Sequence, residues 1–252
     1  PSIEDLYTTA VSASLQAKII DPALFALALQ LPAEMTLAQE MDTVDPDALF
    51  SARQHVKKEL AKRNKERFLD IYHGYQEKGA YSITPEAMGR RSLKNTALHY
   101  LMALDPLPEE IHRLCFDHYC QASNMTDAIA ALGNLVNIDS TMREDALDDF
   151  YRKWRNDPLV LDKWFSLQAI SSLENTLNKV IQLTDNPSFS ISNPNKVRAL
   201  VGVFCSGNHV RFHNKNGSGY RFLADRIEEL NTINPQIAAR LLSPLISWRR
   251  YD

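Results

Sequence analysis

The sequence has few cysteines, no long apolar run and no strong excess of charge of either sign. Its three cysteines, Cys115, Cys120 and Cys205, argue against a disulfide framework and favour a reducing compartment, the cytoplasm. The formal net charge of -3 gives no long-range attraction to nucleic acid or anionic lipid. No apolar segment approaches the roughly 20 residues that cross a bilayer, and the first residues carry no basic leader. We therefore expect no membrane span, no signal peptide and no nucleic-acid partner.

Motifs that mark catalytic sites are missing as well. The sequence contains no His-Glu-x-x-His zinc helix, no glycine-rich phosphate loop and no Gly-x-Ser-x-Gly nucleophile elbow. His112, Cys115, His118 and Cys120 are close in sequence, but one helix cannot surround an ion tetrahedrally. Free cysteine is usually a small buried hydrophobe. We therefore predict neither catalytic residues nor a metal site in this chain.

Helix-start signals, in contrast, recur along the whole chain. Six times a capping residue stands directly before a proline, which fits the first helical position because its missing N–H would be unpaired there anyway. These pairs are Asp21-Pro22, Asp45-Pro46, Thr84-Pro85, Asp157-Pro158, Asn193-Pro194 and Asn234-Pro235. Apolar residues follow them in steps of three and four, and no alternating strand pattern is visible.

This spacing predicts about twelve helices, one or two of which could merge, joined by short connections. The predicted ranges are 3–18, 22–31, 33–41, 46–76, 85–104, 108–121, 125–137, 141–155, 158–170, 172–184, 194–206, 219–232 and 235–249. Short connections favour antiparallel neighbours, and a long series of such pairs stacks most simply as an armadillo/HEAT-like α-solenoid. We therefore predict an all-α fold, with a compact irregular bundle as the alternative.

Residues 207–219 interrupt the helical pattern. They contain three glycines and four basic side chains, from His209, Arg211, His213 and Lys215. The glycines predict a loop with positive-φ positions. Both a functional loop and a solvated connection fit this composition, and without a helix to align them the two histidines are not expected to bind a metal.

Several segments together resemble a known family. They are Ile20-Asp-Pro-Ala-Leu24, Asn124-Met-Thr-Asp-Ala-Ile-Ala-Ala-Leu132, Asp162-Lys-Trp-Phe165, Ser192-Asn-Pro-Asn-Lys-Val-Arg-Ala-Leu200, Phe212-His213 with Gly217-Ser-Gly-Tyr220, and Asn234-Pro-Gln-Ile-Ala-Ala-Arg-Leu-Leu242 with Arg250-Tyr-Asp252. In order and spacing they resemble the C-terminal helical-repeat domain of bacterial aminopeptidase N, a zinc aminopeptidase of the alanyl/lysyl-type gluzincin family. The resemblance covers essentially the whole chain.

The resemblance implies one domain, residues 1–252, of a larger aminopeptidase whose catalytic domain lies upstream and holds Zn²⁺. This segment would cap the active-site cavity, shape the access of peptide substrates, and be inactive alone, with no cofactor of its own. Its start at Pro1 and its end at Asp252 also suggest a segment of a longer protein. The family usually continues with a further helical stretch, so Leu241, Leu245 or Trp248 could be partly uncovered here.

The resemblance assigns three residues to the substrate channel: Arg198, Gln236 and Arg240. Gln236 and Arg240 are four residues apart and should project from one helix face. Guanidinium groups suit the planar carboxylates and carbonyls of peptides. The alternative for each arginine is a structural ion pair within the same domain. The alternative for the whole chain is a stand-alone helical-repeat module that binds a protein or a peptide.

Overall fold

A computed structural model of the chain describes residues 3–77 and 79–251, and every regular element in these residues is a helix. The only strand-like pairing among them is an isolated bridge between Val44 and Tyr251. The α-helices are α1 Ile3–Gln16, α2 Pro22–Ala28, α3 Glu34–Gln39, α4 Pro46–Arg63, α5 Lys65–Gly74, α6 Pro85–Leu101, α7 Glu109–Gln121, α8 Met125–Leu135, α9 Thr141–Trp154, α10 Pro158–Ala169, α11 Thr176–Thr184, α12 Pro194–Val197, α13 Val203–Gly207, α14 His209–Phe212, α15 Ser218–Ile233 and α16 Pro235–Leu241. A π-helical turn, Arg198–Gly202, joins α12 to α13, and two 3₁₀ turns, Ser243–Leu245 and Trp248–Arg250, follow α16. The predicted all-α fold class is confirmed.

The six predicted capping pairs all begin helices. Asp21 opens α2, for example, where its carboxylate accepts hydrogen bonds from the Ala23 and Leu24 amides at 2.8 and 3.1 Å. The other five pairs open α4, α6, α10, α12 and α16. Local chemistry therefore sets these boundaries, as the sequence predicts.

The longest predicted helix is divided in the structure, as are the predicted helices 194–206 and 235–249. The range 46–76 breaks at Asn64, which ends α4 and precedes α5. The Asn64 side-chain amide donates to the Ser12 hydroxyl and to the Leu60 carbonyl, both at 3.0 Å. A side chain that bonds its own helix's backbone competes with the helical ladder, and here a contact with α1 stabilises the break.

The chain divides into two compact units: unit 1 comprises residues 1–33 and 51–135, and unit 2 comprises residues 34–50 and 136–252. In unit 1, α2 and α5 pack on α6. The Phe68 ring stacks on Tyr100 with ring centroids 4.7 Å apart, and the Tyr100 hydroxyl donates to the Leu29 carbonyl. Gly89 lies so close to α2 that a Cβ there would be 3.0 Å from the Ala23 nitrogen.

A buried ion pair connects α6 with α8 in unit 1. The Asp127 carboxylate accepts hydrogen bonds from Lys94 at 2.8 Å, from Asn95 at 2.9 Å and from Asn124 at 3.0 Å. The Lys94 and Asp127 side chains are only 3% and 6% exposed. Burial alone would raise the pKa of Asp127, but these hydrogen bonds and the Lys94 charge bring it below its usual value.

Unit 2 is built around α10, which contacts α9, α11 and the π-helical turn. The Trp164 indole donates to the Leu147 carbonyl at 3.0 Å, and Phe165 is fully buried. The Ser166 hydroxyl donates to the Ala199 carbonyl at 3.0 Å, which ties α10 to the π-helical turn. No helix in the described part of the chain is long and apolar enough to cross a membrane.

Candidate functional site

The three residues assigned to the substrate channel all lie in unit 2 with exposed side chains. Gln236 and Arg240 lie on α16 and follow its capping residue Asn234, which accepts a hydrogen bond from the Ile237 amide at 3.2 Å. Since they are one helical turn apart, both project from the same side of α16. Arg198 lies on a separate element, at the first position of the π-helical turn.

The two arginines carry unpaired charges. Across residues 3–77 and 79–251, neither Arg198 nor Arg240 forms an ion pair, and the one side-chain hydrogen bond of Arg198 goes to the neutral Asn195 amide oxygen at 3.3 Å. The alternative of a structural ion pair is therefore not supported in the part of the chain that is described. Both guanidinium groups remain available to an anionic or carbonyl ligand.

The π-helical turn at Arg198 is a feature that the sequence reasoning missed. Residues 194–206 read as one continuous α-helix, yet the hydrogen bonds widen over Arg198–Gly202. Such turns are rare and often occur at functional sites. Gly202 is the one sequence signal in this turn, and a Cβ at this position would lie 3.7 Å from the Arg198 Cγ, an ordinary contact distance.

The basic segment 207–219 is a loop only in part. Residues 209–212 form α14 and pack into unit 2, whereas residues 213–217 are a loop in which Gly217 has the expected positive φ, of 70°. Asn208 donates to the Ala169 and Ser171 carbonyls at 2.9 and 2.8 Å, while the Arg211 guanidinium donates to the Ser172 carbonyl. The first half of the segment is therefore packed structure, and its exposed part is the short loop that contains Lys215 and Asn216.

The His213 imidazole is buried between two tyrosines. Its ring stacks on Tyr251 with centroids 3.5 Å apart, and its Nδ1 lies 2.7 Å from the Tyr220 hydroxyl. Burial first, and the neighbouring His209 second, lower the pKa of His213 to about 4. The ring is therefore neutral at pH 7 and serves as packing.

No metal site is formed by the described residues, because no group of three or more histidine, cysteine, aspartate or glutamate side chains converges there. His118 instead lies 2.9 Å from the Tyr72 hydroxyl, and the Cys115 thiol donates to the Ala131 carbonyl at 3.5 Å. Burial raises the pKa of Cys115 to about 12, so its thiol stays protonated. These residues do not fit a bound zinc ion.

Comparison with known proteins places this arrangement in a family. The profile of a family described as a domain of unknown function (DUF3458_C) with ARM repeats matches residues 1–252. Aminopeptidase N of Caulobacter vibrioides is 41% identical over 98% of this chain, and that of Haemophilus influenzae is 41% identical over 97%. Aminopeptidase N of Escherichia coli is 38% identical over 92%.

The same similarity holds in three dimensions. A crystal structure of Legionella pneumophila aminopeptidase A in complex with aspartic acid superposes on the whole chain with a TM-score of 0.87 and 31% identity. The chain covers 30% of that structure and 26–28% of the three aminopeptidase N sequences. The chain therefore belongs to the DUF3458_C family of ARM-repeat domains and is homologous to the C-terminal region of aminopeptidase N.

Proposed function

We propose that this chain is one C-terminal domain, residues 1–252, of a zinc-dependent aminopeptidase N that removes N-terminal residues from peptides. The domain caps the active-site cavity, shapes the access of peptides and has no peptidase activity alone. The observation that carries the proposal is the identity of 38–41% over nearly the whole chain with a segment making up about a quarter of aminopeptidase N. Zn²⁺ and the catalytic groups belong to the upstream domain of the same polypeptide, in the cytoplasm.

Exposed apolar side chains support a partner for each unit. In unit 1, Ile20, Leu24 and Leu27 are 63–89% exposed, and in unit 2 Ile246 and Trp248 are 84% and 53% exposed. Large apolar residues clustered at a surface mark interaction sites more often than isolated ones do. Trp248 is uncovered as expected, whereas Leu241 is buried. The upstream catalytic domain is the partner that we propose.

The side chains of Arg198, Gln236 and Arg240 line the path of the peptide in this proposal. Their exposure and the unpaired guanidinium charges support it, because a peptide carboxylate binds a guanidinium through two parallel hydrogen bonds. The Gln236 amide adds a donor and an acceptor one helical turn from Arg240. These groups would orient the substrate and would not touch the scissile bond.

The first test asks whether the chain has activity of its own. Purified chain, incubated with an aminoacyl arylamide and added Zn²⁺, should release no arylamine, whereas the longer polypeptide with its upstream domain should. Zinc-dependent turnover by the isolated chain would refute the proposal. If the upstream region encoded in the same reading frame has no His-Glu-x-x-His motif, the stand-alone interaction module becomes the better explanation.

The second test concerns the channel residues in the longer polypeptide. Arg240→Ala should raise KM for tri- and tetrapeptides about 10- to 100-fold, since a hydrogen bond to a charged group contributes about 1.5 to 3 kcal/mol. An aminoacyl arylamide, which lacks the C-terminal carboxylate, should be hydrolysed almost normally. The matched control is Arg249→Ala, another exposed arginine near the chain end. If both substitutions change KM equally, Arg240 does not contact the substrate.

A further inference from the structure

A cavity of about 390 Å³ in unit 2 is lined by residues of α9, α10 and α11 and is called the α9–α11 cavity below. Its apolar lining consists of Tyr151 from α9, Trp164 from α10 and Leu183 from α11. Trp164 and Leu183 are only 6% and 5% exposed, and the Tyr151 and Trp164 ring centroids lie 4.9 Å apart. A cavity of this size with aromatic walls is typical of sites for small organic molecules.

The polar atoms of the two aromatic rings are already bonded within the protein. The Trp164 indole donates to the Leu147 carbonyl at 3.0 Å. The Tyr151 hydroxyl lies 3.0 Å from the Ser188 hydroxyl and 3.4 Å from the Asn186 amide oxygen. These bonds hold both rings in place, so the rings offer a ligand a preformed apolar surface.

Charged side chains of both signs line the same cavity. They are Asp148 from α9, Lys179 from α11 and Asp185, the residue that caps the end of α11. In the part of the chain that the structure describes, none of the three side chains forms an ion pair or a side-chain hydrogen bond. The C-terminal end of α11 adds partial negative charge near Asp185. The cavity therefore presents unpaired groups that attract a cation and one that attracts an anion.

These charges define the chemical class of the ligand. A simple amine would leave Lys179 without a partner, and a simple carboxylate would leave both aspartates without one. A free α-amino acid supplies an ammonium group for Asp148 and Asp185 and a carboxylate for Lys179. Its side chain would cover the apolar surface of the rings, which favours a large apolar side chain.

We propose that the α9–α11 cavity binds a free α-amino acid with an aromatic or large aliphatic side chain. Free amino acids are also what the enzyme of the proposed function releases, so the cavity would bind a product of that enzyme. Only this last link rests on the proposed function, because the ligand class follows from the lining of the cavity.

The test is a titration of the ¹⁵N-labelled chain with L-phenylalanine, followed through the indole N–H signals of its three tryptophans. Only Trp164 lines the cavity, so its signal should shift and saturate, whereas those of Trp154 and Trp248 should not move. Trp154→Phe and Trp248→Phe assign the signals and leave the cavity lining unchanged. If the Trp164 signal shows no saturable shift up to the solubility limit of phenylalanine, the proposal is wrong.

Three analogues test each part of the ligand separately. Phenylalaninamide lacks the carboxylate, N-acetylphenylalanine lacks the ammonium group, and glycine lacks the side chain. Each loses one set of contacts and should bind about 3- to 10-fold more weakly than phenylalanine. If phenylalaninamide or N-acetylphenylalanine binds as tightly as phenylalanine, the cavity does not recognise both charges and the proposal is overturned.

Substitutions in the lining provide the matching test on the protein side. Lys179→Gln should weaken phenylalanine binding about 3- to 10-fold, because the ligand carboxylate loses its partner. The control is Lys163→Gln, since Lys163 is an exposed lysine on α10 that does not line the cavity. Asp148→Asn should weaken binding less, because Asp185 still attracts the ammonium group, and its control is Asp149→Asn at the adjacent exposed position.

Equal affinities of the Lys179→Gln and Lys163→Gln variants would overturn the proposal. Both positions are on helix surfaces, and circular dichroism checks that the variants fold. The titration measures binding by the chain and not hydrolysis. A negative result here therefore leaves the proposed function unaffected, and a negative result in the peptidase test leaves the amino acid site unaffected.

Discussion

Neutralising Asp127 should destabilise unit 1 far more than neutralising an exposed partner of another lysine. In Asp127→Asn the Lys94 ammonium, 3% exposed, loses its only ion-pair partner among the described residues. An uncompensated buried charge costs about 3 to 5 kcal/mol, and we expect about 3 because the asparagine still accepts one hydrogen bond. The matched control is Asp105→Asn, which removes the surface pair with Lys58 and should give no measurable shift.

Urea unfolding followed by circular dichroism measures this loss. Trp154, Trp164 and Trp248, the only tryptophans, all belong to unit 2, so indole fluorescence would not report on α6 and α8. With an m-value of about 2 kcal/mol per molar urea, a loss of 3 kcal/mol lowers the midpoint by about 1.5 M.

The double variant Lys94→Met/Asp127→Asn provides the internal check. It removes both charges and keeps an amide oxygen for Asn95 and Asn124, so it should be more stable than either single variant. If the two single effects simply add, or if Asp127→Asn costs less than about 1 kcal/mol, the buried pair does not organise unit 1 as argued.

Two further predictions concern unit 2 and the response to acid. Gly219→Ala should lower the free energy of unfolding, measured in urea, by about 3 kcal/mol, because its Cβ would lie 2.1 Å from the Phe212 carbonyl oxygen. Gly202→Ala is the control: its Cβ would lie 3.7 Å from the nearest atom, so this substitution should be neutral or slightly stabilising. Burial lowers the pKa of His118 and of His213 to about 4, compared with about 6.5 in an unfolded chain. The stability that these two neutral histidines contribute is therefore complete above pH 6.5 and is lost as the pH falls toward 4. Urea unfolding at pH 7, 5.5 and 4.5 measures this loss. The free energy of unfolding should fall by up to about 1.4 kcal/mol per pH unit for each histidine, and a free energy that does not change with pH would contradict the prediction.

Helix beginnings were predictable because the interactions that set them are local. Asp21 and Asn193, for example, reach amides only two and three residues ahead. The break at Asn64 was not predictable, because its partner Ser12 lies on α1, far away in sequence. A contact with a residue far away in the sequence can interrupt a helix whose apolar pattern is continuous. Such contacts cannot be read from a single sequence.

The common helix of Gln236 and Arg240 was predictable for the same reason, whereas their role in a substrate channel stays a prediction. The four-residue spacing of Gln236 and Arg240 determines a shared side of α16, whereas the π-helical turn at Arg198 left only Gly202 as a signal. The polar, glycine-rich composition of the basic segment predicted the loop at residues 213–217 but not the buried helix α14 before it. The segment's His213 is buried by Tyr251 at the far end of the sequence, a contact that composition cannot indicate.

Lys57 shows why charge must be judged in three dimensions. In sequence it is one of several basic residues on α4, and such residues usually form a solvated face. Its neighbour Lys58 behaves that way, paired with Asp105 at the surface. Lys57 differs because α6 and α8 place His99 and Asn134 beside it. Adjacent lysines on one helix thus differ because of neighbours that the local sequence does not contain. Lys58 pairs with Asp105, whereas burial first, and Arg53 second, lower the pKa of Lys57 to about 7.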